Sequence, residues 1–113
     1  MSKLADDTYA LLRRVFPHHT IMLEYYVRYK GAQLFFDFFI KELNVLIEVQ
    51  GRQHDEYVAH FHGDREGYLA SKKRDNLKKE YCETNDVVLI EVRKKLNERS
   101  LLRLIWKGMT ENE

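Results

Sequence analysis

Cysteine and proline are almost missing from this sequence of 113 residues, which has one of each. A single cysteine, Cys82, excludes an internal disulfide and any zinc site that is built on several thiolates. No apolar run reaches the roughly 20 residues of a membrane-spanning helix, and the N-terminal MSKLADD lacks the apolar stretch of a signal peptide. We therefore expect a cytoplasmic, intracellular protein with no disulfide and no membrane contact.

An excess of charge of one sign is also missing, because 19 Lys and Arg stand against 18 Asp and Glu, a net charge of +1. Taken whole, this balance argues against a nucleic-acid binder. The charges are unevenly spread, however. Residues 72–107 hold eleven Lys or Arg against six Asp or Glu, and the remainder holds eight against twelve. The chain therefore combines a basic stretch suited to phosphates with acidic residues suited to a metal ion.

Hydrophobic periodicity predicts the order α-β-β-β-α-β-α in a single domain over residues 1–113. The helices are predicted over 3–15, 65–83 and 98–107, and the strands over 21–29, 33–40, 45–49 and 86–92. The second and third strands are apolar on both faces, which is typical of central strands covered by helices. A helix between the last two strands favours their parallel pairing. The fold class is therefore α/β (α+β), with a mixed sheet flanked by helices. In the C-terminal helix, the side chains predicted to face the core are Leu101, Leu102, Ile105 and Trp106.

Two carboxylates interrupt the apolar strands: Asp37 lies within FFDFF and Glu48 within LIEVQ. A lone buried carboxylate costs several kcal/mol unless it is paired or binds a cation, and a structural ion pair or an edge position is the alternative for each acid. The four-residue KELN turn predicts that the two acids are not directly opposite, with Glu48 farther from the turn, although a twisted hairpin can bring them to one end of the sheet. Together with the polar QGRQHD that follows, they predict a site for Mg²⁺ or a similar divalent ion.

Polar residues beyond these strands are weaker candidates. His54, five residues after the third strand, is suited to a general base, and a solvated loop histidine is the alternative. Glu24 lies mid-strand, where an exposed or ion-paired side chain is the alternative. Arg74 and Asp75 lie in the charged helical run KKRDNLKKE, where a salt-bridged surface is the alternative. Asp75 lies on one helical stripe with Tyr68 and Cys82, at seven-residue spacing, which favours an inward position.

These segments, in the order FFDFFIKELNVLIEVQGRQHDEY, KKRDNLKKEYC and DVVLIEV, resemble the PD-(D/E)xK nuclease superfamily. The resemblance is closest to the branch shared by very-short-patch repair endonucleases and phage homing endonucleases of the EDxHD type, and it covers roughly residues 20 to 92. It implies a restriction-endonuclease-like core and hydrolysis of DNA phosphodiesters that depends on Mg²⁺ (or Mn²⁺). It also implies that the protein is phage-encoded and acts in the host cytoplasm.

The resemblance implies particular residues for this chemistry. Asp37 and Glu48 correspond to the metal ligands, and Gln50 stands where the motif has its lysine. Glutamine can position a water molecule but cannot act as a base, so His54 or the metal alone would handle the proton. A lone cysteine also departs from the repair enzymes, which carry a structural zinc, and favours the phage-type homing branch. The implied catalytic set is Glu24, Asp37, Glu48, Gln50, His54 and Asp75.

Double-stranded DNA is the implied partner. The implied phosphate contacts are Arg52, Lys72, Lys73, Arg74 and Lys78. Because one active site cuts one strand, a double-strand cut needs a homodimer or two nicks. The polar loop 52–64 and the C-terminal helix, with Leu101, Leu104 and Trp106, are candidate interfaces, although an apolar helix face is more commonly core. The alternatives are a structure-specific nuclease such as a junction resolvase, and a catalytically weak nuclease-fold module that binds DNA or a partner protein.

Overall fold

A computed structural model describes residues 1–50 and 65–111 of the chain. Within these ranges the element order is α-β-β-β-α-β-α, so the predicted α+β fold is confirmed. A 3-10 turn at Lys41–Leu43 joins β2 to β3. The elements are α1 (Lys3–Val15), β1 (Ile21–Tyr29), β2 (Ala32–Ile40), β3 (Val45–Val49), α2 (Arg65–Thr84), β4 (Val88–Val92) and α3 (Glu98–Glu111).

Differences from the predicted bounds are small and have local causes. β4 begins at Val88 and not at Asp86, because Asp86 has a φ of 55° and belongs to the turn that leaves α2. α3 continues past Gly108 to Glu111, because that glycine packs against β4 and does not end the helix. Arg52, His54 and the loop 52–64 lie outside the described residues.

The four strands form one mixed sheet in the order β1-β2-β3-β4. β1–β2 and β2–β3 are antiparallel, and β3–β4 is parallel, as the intervening helix predicts. β2 and β3 are therefore the central strands, which agrees with their apolar composition on both faces. The carboxyl ends of β3 and β4 meet at the same edge of the sheet.

Two apolar clusters lie on the two faces of the sheet. The first joins α1 and α3 to β3 and β4, with Leu12, Ile47 and Leu101 fully buried. The second lies under α2 and contains Phe36 and Cys82, both buried. Burial raises the pKa of the Cys82 thiol to about 12, so the lone cysteine is a protonated core residue. The helices thus cover both faces of the central strands.

The β1–β2 hairpin reverses its faces in the middle of the strands. Phe36 and Phe38 pack in different clusters, although residues two apart in a regular strand share a face. The reversal falls at Asp37 and at Glu24, which is opposite Asp37 in the β1–β2 register. Glu24 has a φ of 50°, in the left-handed region, and the pairing is interrupted there. The reversal explains why apolar residues flank Asp37 on both sides: each half of β2 buries a different face.

The inward face predicted for α3 is half wrong. Leu101 and Ile105 are buried against the sheet, as expected. Leu102 and Trp106 are instead 42% and 70% exposed, because each lies about 100° around the helix from its buried neighbour. Among the three side chains considered for a dimer contact, Leu101 belongs to the core, Leu104 packs at its edge, and Trp106 faces outward.

Close packing of α3 on β4 gives a first test. A Cβ atom at Gly108 would lie 2.6 Å from Val88 Cγ1 and 3.1 Å from Ile90 Cδ1. We expect Gly108→Ala to lower the free energy of unfolding by about 1–3 kcal/mol, since overpacking a stiff β-branched neighbour outweighs the roughly 1 kcal/mol gain in helix propensity. Urea denaturation measures the change. Lys107→Ala, an exposed neighbour, should change stability by less than about 0.5 kcal/mol, and a stabilised Gly108→Ala protein would contradict the prediction.

Candidate active site

Asp37 and Glu48 lie opposite each other at the point where β2 and β3 separate. Their strands pair as far as Phe38–Ile47, and the next position in that register pairs the two acids. The prediction that they are not directly opposite was therefore wrong. The KELN turn connects the first paired residues of the two strands, so both acids are equally far from it.

Each acid bonds the backbone of the opposite strand. Glu48 Oε1 accepts a hydrogen bond from the Asp37 N–H at 3.0 Å, and Asp37 Oδ2 accepts one from the Val49 N–H at 2.7 Å. These side-chain bonds satisfy the N–H groups where the ladder ends, which is required of buried backbone. The two carboxylates are thereby held in place by the separating strands.

Lys78, on α2, is the cation that pairs with Glu48. Its Nζ lies 2.7 Å from Glu48 Oε2, and the two side chains are only 17% and 10% exposed. The ammonium also lies 5.4 Å from the centre of the Phe36 ring. Burial raises the pKa of the Glu48 carboxyl, Lys78 opposes the rise, and the negative charge of Asp37 adds to it. This chain has a glutamine and no cation at position 50, and Lys78 brings a cation to Glu48 from a different element.

Glu91 is a further acid next to Glu48, and it was not predicted from the sequence. β3 and β4 have the same sequence, VLIEV, and they pair in register, so Glu48 and Glu91 are direct neighbours. Glu24, Asp37, Glu48 and Glu91 therefore occupy one transverse row across the four strands. The repeated pentapeptide, together with the predicted parallel pairing, was the signal that could have found Glu91.

A cleft lies between α2 and the carboxyl ends of β3 and β4, the place where open sheets with parallel strands bind ligands. Gln50 is one of its lining residues; it is buried, and its N–H donates to the Val92 carbonyl at 2.8 Å. The polar and charged residues lining the cleft are Glu48, Gln50, Lys72, Asp75, Asn76, Lys78, Lys79, Glu91 and Arg93. Four cations and three carboxylates thus share a small polar space.

The structure brings together most of the described residues that were predicted from the sequence. Glu48, Gln50 and Asp75 line the cleft, and Asp37 is bonded to Glu48. Glu24 lies beside Asp37 in the row, but its side chain is exposed.

The predicted phosphate contacts divide into two groups. Lys72 and Lys78 line the cleft, whereas Lys73 and Arg74 are exposed and do not line it. A helix repeats every 3.6 residues, so positions one and two places beyond Lys72 point away from the cleft. Arg74 Nη2 donates a hydrogen bond to Ser71 Oγ at 3.4 Å. Arg52 and His54 lie outside the described residues.

The donor set fits a hard divalent ion incompletely. Across residues 1–50 and 65–111, no three His, Cys, Asp or Glu side chains are arranged to hold a metal. Asp37 and Glu48 provide two adjacent carboxylates, and each has more acceptor sites than its backbone bond uses. Mg²⁺ commonly binds through one or two carboxylates and completes its shell with water and substrate phosphate oxygens. The pair therefore fits Mg²⁺ or Mn²⁺, in competition with Lys78 for Glu48.

Three curated viral proteins are similar to about half of the chain. Uncharacterized protein 307L of Invertebrate iridescent virus 6 is 38% identical over 56 residues, which are 50% of this chain and 28% of the relative. Uncharacterized protein 094L of Frog virus 3 (isolate Goorha) is 43% identical over 63 residues, 55% of this chain and 41% of the relative. Uncharacterized protein 033L of Invertebrate iridescent virus 3 is 37% identical over 62 residues, which are 55% of this chain and 32% of the relative.

The matched segment is therefore less than half the length of each of these relatives. No family model and no solved structure matches the chain. Every helix in the described part of the chain is too short or too polar to cross a membrane.

The Glu48–Lys78 pair predicts a stability change that depends on pH. The pKa of Glu48 is already above its ordinary 4.5, so the stability linked to this group is full below that value and is lost as the pH rises through the raised one. Lys78→Met removes the cation that limits the rise. We expect a loss of about 3 kcal/mol in unfolding free energy at neutral pH, which shrinks on acidification.

Denaturation curves across a pH series measure this effect. Lys79→Met is the matched control, because the neighbouring ammonium is 58% exposed, and we expect less than about 0.5 kcal/mol at any pH. A Lys78→Met deficit that does not change with pH would show that the pair does not carry the coupling.

Proposed function

We propose that the protein is a metal-dependent DNA endonuclease of the PD-(D/E)xK type, which hydrolyses phosphodiester bonds. The observation that carries the proposal is the contact of Asp37 with Glu48 where two central strands separate, with Lys78 bonded to Glu48. Carboxylates on central strands are costly unless they are paired or bind a cation. A cleft with four cations extends from this pair, as binding of a phosphodiester requires.

Asp37 and Glu48 would hold the divalent ion, which supplies Lewis-acid polarisation of the phosphate and a bound water of lowered pKa. Lys78 takes the role of the lysine that is absent at position 50, and its ammonium donates to an oxygen of the scissile phosphate. Gln50 orients water by hydrogen bonds. Asp75 borders the same cleft, and its proposed role is to orient His54 or to contribute to the metal shell.

Glu24 and His54 also have roles in the proposed mechanism. Glu24 stands beside Asp37 in the row of acids, and its unusual φ of 50° places backbone strain at this position, which is where functional sites concentrate it. His54 accepts a proton from the attacking water. Lys72 binds a phosphate at the cleft, Lys73 and Arg74 are exposed for further DNA contacts, and Arg52 is proposed as a DNA contact from the motif resemblance alone.

Similarity to three uncharacterized viral proteins supports a viral origin and does not bear on the activity. On the motif resemblance, we propose a homing or nicking endonuclease of the phage type that acts on double-stranded DNA in the host cytoplasm. A homodimer would allow both strands to be cut, since each chain has one proposed site.

Two observations favour a second function, a nuclease fold that binds DNA with little or no catalysis. Glu48 already forms an ion pair with Lys78, and no group of three metal-ligating side chains is present among the described residues. A structure-specific nuclease such as a junction resolvase would use the same site, and a comparison of plasmid, flap and four-way-junction substrates separates it from a homing enzyme.

Cleavage of supercoiled plasmid tests the proposal directly. We expect Mg²⁺- or Mn²⁺-dependent nicking that stops with EDTA and falls at least about 100-fold in Asp37→Asn, since electrostatic stabilisation of the reacting phosphate is lost. Asp6→Asn, an exposed acid on α1, should retain full activity. Absence of nicking by the wild type with either metal would leave the DNA-binding module as the function, and retained activity in Asp37→Asn would remove that residue from the mechanism.

Moving the lysine tests its proposed role. We expect Lys78→Met to reduce nicking at least about 100-fold, by loss of a charge that stabilises the phosphate. Adding Gln50→Lys to Lys78→Met should restore much of the rate, because Gln50 lines the same cleft and occupies the usual position of the motif lysine. Circular dichroism confirms that both proteins are folded. Failure of the double variant to recover activity, in a folded protein, contradicts the replacement.

A further inference from the structure

We infer that the outer part of the cleft, formed by Lys79, Glu91 and Arg93, is a second phosphate subsite that holds the DNA backbone next to the scissile phosphate. The inference rests on the proposed function, and it adds residues that the motif resemblance does not include. It identifies the substrate group at this place as a phosphodiester monoanion.

Glu91 gathers two cations from different elements at the mouth of the cleft. Its Oε2 accepts a hydrogen bond from Arg93 Nη2 at 2.6 Å, and its Oε1 lies 3.9 Å from Lys79 Nζ. Lys79 comes from α2 and Arg93 follows β4, so the tertiary structure brings them together. The carboxylate is 22% exposed, whereas the two cations are 58% and 45% exposed and face solvent.

The group of Lys79, Glu91 and Arg93 lies close to Glu48, and this position distinguishes it from an ordinary surface ion pair. Glu91 is the register neighbour of Glu48, so the cations that it gathers lie one strand away from the proposed metal ligands. All three residues line the same cleft as Glu48 and Lys78. A backbone that places one phosphate at Asp37 and Glu48 would therefore pass over this group.

The side chains of the group suit the proposed ligand. Lys79 and Arg93 are cations that are partly exposed where they line the cleft, so an anionic phosphodiester can reach them. A guanidinium has five N–H donors in a planar fork, so it can bond a carboxylate and a phosphate oxygen together. In the absence of DNA, Glu91 keeps two like charges close to each other at the cleft.

Binding without cleavage tests the subsite. The probe is a fluorescein-labelled duplex of mixed sequence, titrated in EDTA and followed by anisotropy at several salt concentrations. We expect Arg93→Gln and Lys79→Gln each to weaken binding about eightfold at 0.1 M salt and to lower the salt slope by about 0.9, the effect of one lost phosphate contact. Glu91→Gln should strengthen binding, because it removes a negative charge beside the bound phosphate.

Matched controls lie on α3 and α1, which pack on the sheet face opposite α2. Arg103→Gln and Asp6→Asn make the same charge changes at exposed positions that do not line the cleft, and we expect neither to alter the affinity more than about twofold. The subsite is overturned if these control variants match their cleft counterparts, or if the wild type does not bind the duplex. Plasmid nicking separates the two proposals. If the wild type nicks plasmid and Arg93→Gln binds the duplex normally, only the subsite is contradicted. If Arg93→Gln weakens binding but the wild type does not nick plasmid, only the nuclease proposal is contradicted.

Discussion

The buried carboxylate of Glu48 is the constraint on which the rest of the site depends. Its two oxygens accept bonds from the Asp37 N–H and from the Lys78 ammonium, so one side chain joins β2, β3 and α2. A charge in this position is costly to bury, and the structure compensates with a cation and a backbone donor. The same compensation bears on the proposed function, because the proposed metal ion would have to share or replace the interaction of Glu48 with Lys78.

Asp37 connects this constraint to the shape of the sheet. The β1–β2 hairpin reverses its faces at Asp37, which allows Phe36 and Phe38 to pack in different clusters. Because the ladder opens there, the Val49 N–H needs a new acceptor, and Asp37 Oδ2 supplies it. The irregular backbone and the acids are thus parts of one arrangement: the strands separate where polar side chains replace ladder bonds.

The sequence predicted the order of elements and the central position of β2 and β3, because hydrophobic periodicity depends on local burial. It identified Asp37 and Glu48 by the same reasoning, as charges among apolar residues. Two kinds of error had a common cause. The relative position of the two acids required the strand register, and the outward direction of Trp106 required the angle at which α3 meets the sheet; neither is a local property.

The sequence by itself determined which residues are costly to bury and therefore which acids need a partner, since that cost follows from residue type and apolar surroundings. Only the tertiary structure decided what the partners are. Lys78 lies thirty positions from Glu48 and reaches it because α2 packs across the sheet. Glu91 becomes a neighbour of Glu48 because identical segments pair in parallel register. Contacts between residues that are far apart in the chain depend on packing and register, which single-residue preferences do not specify.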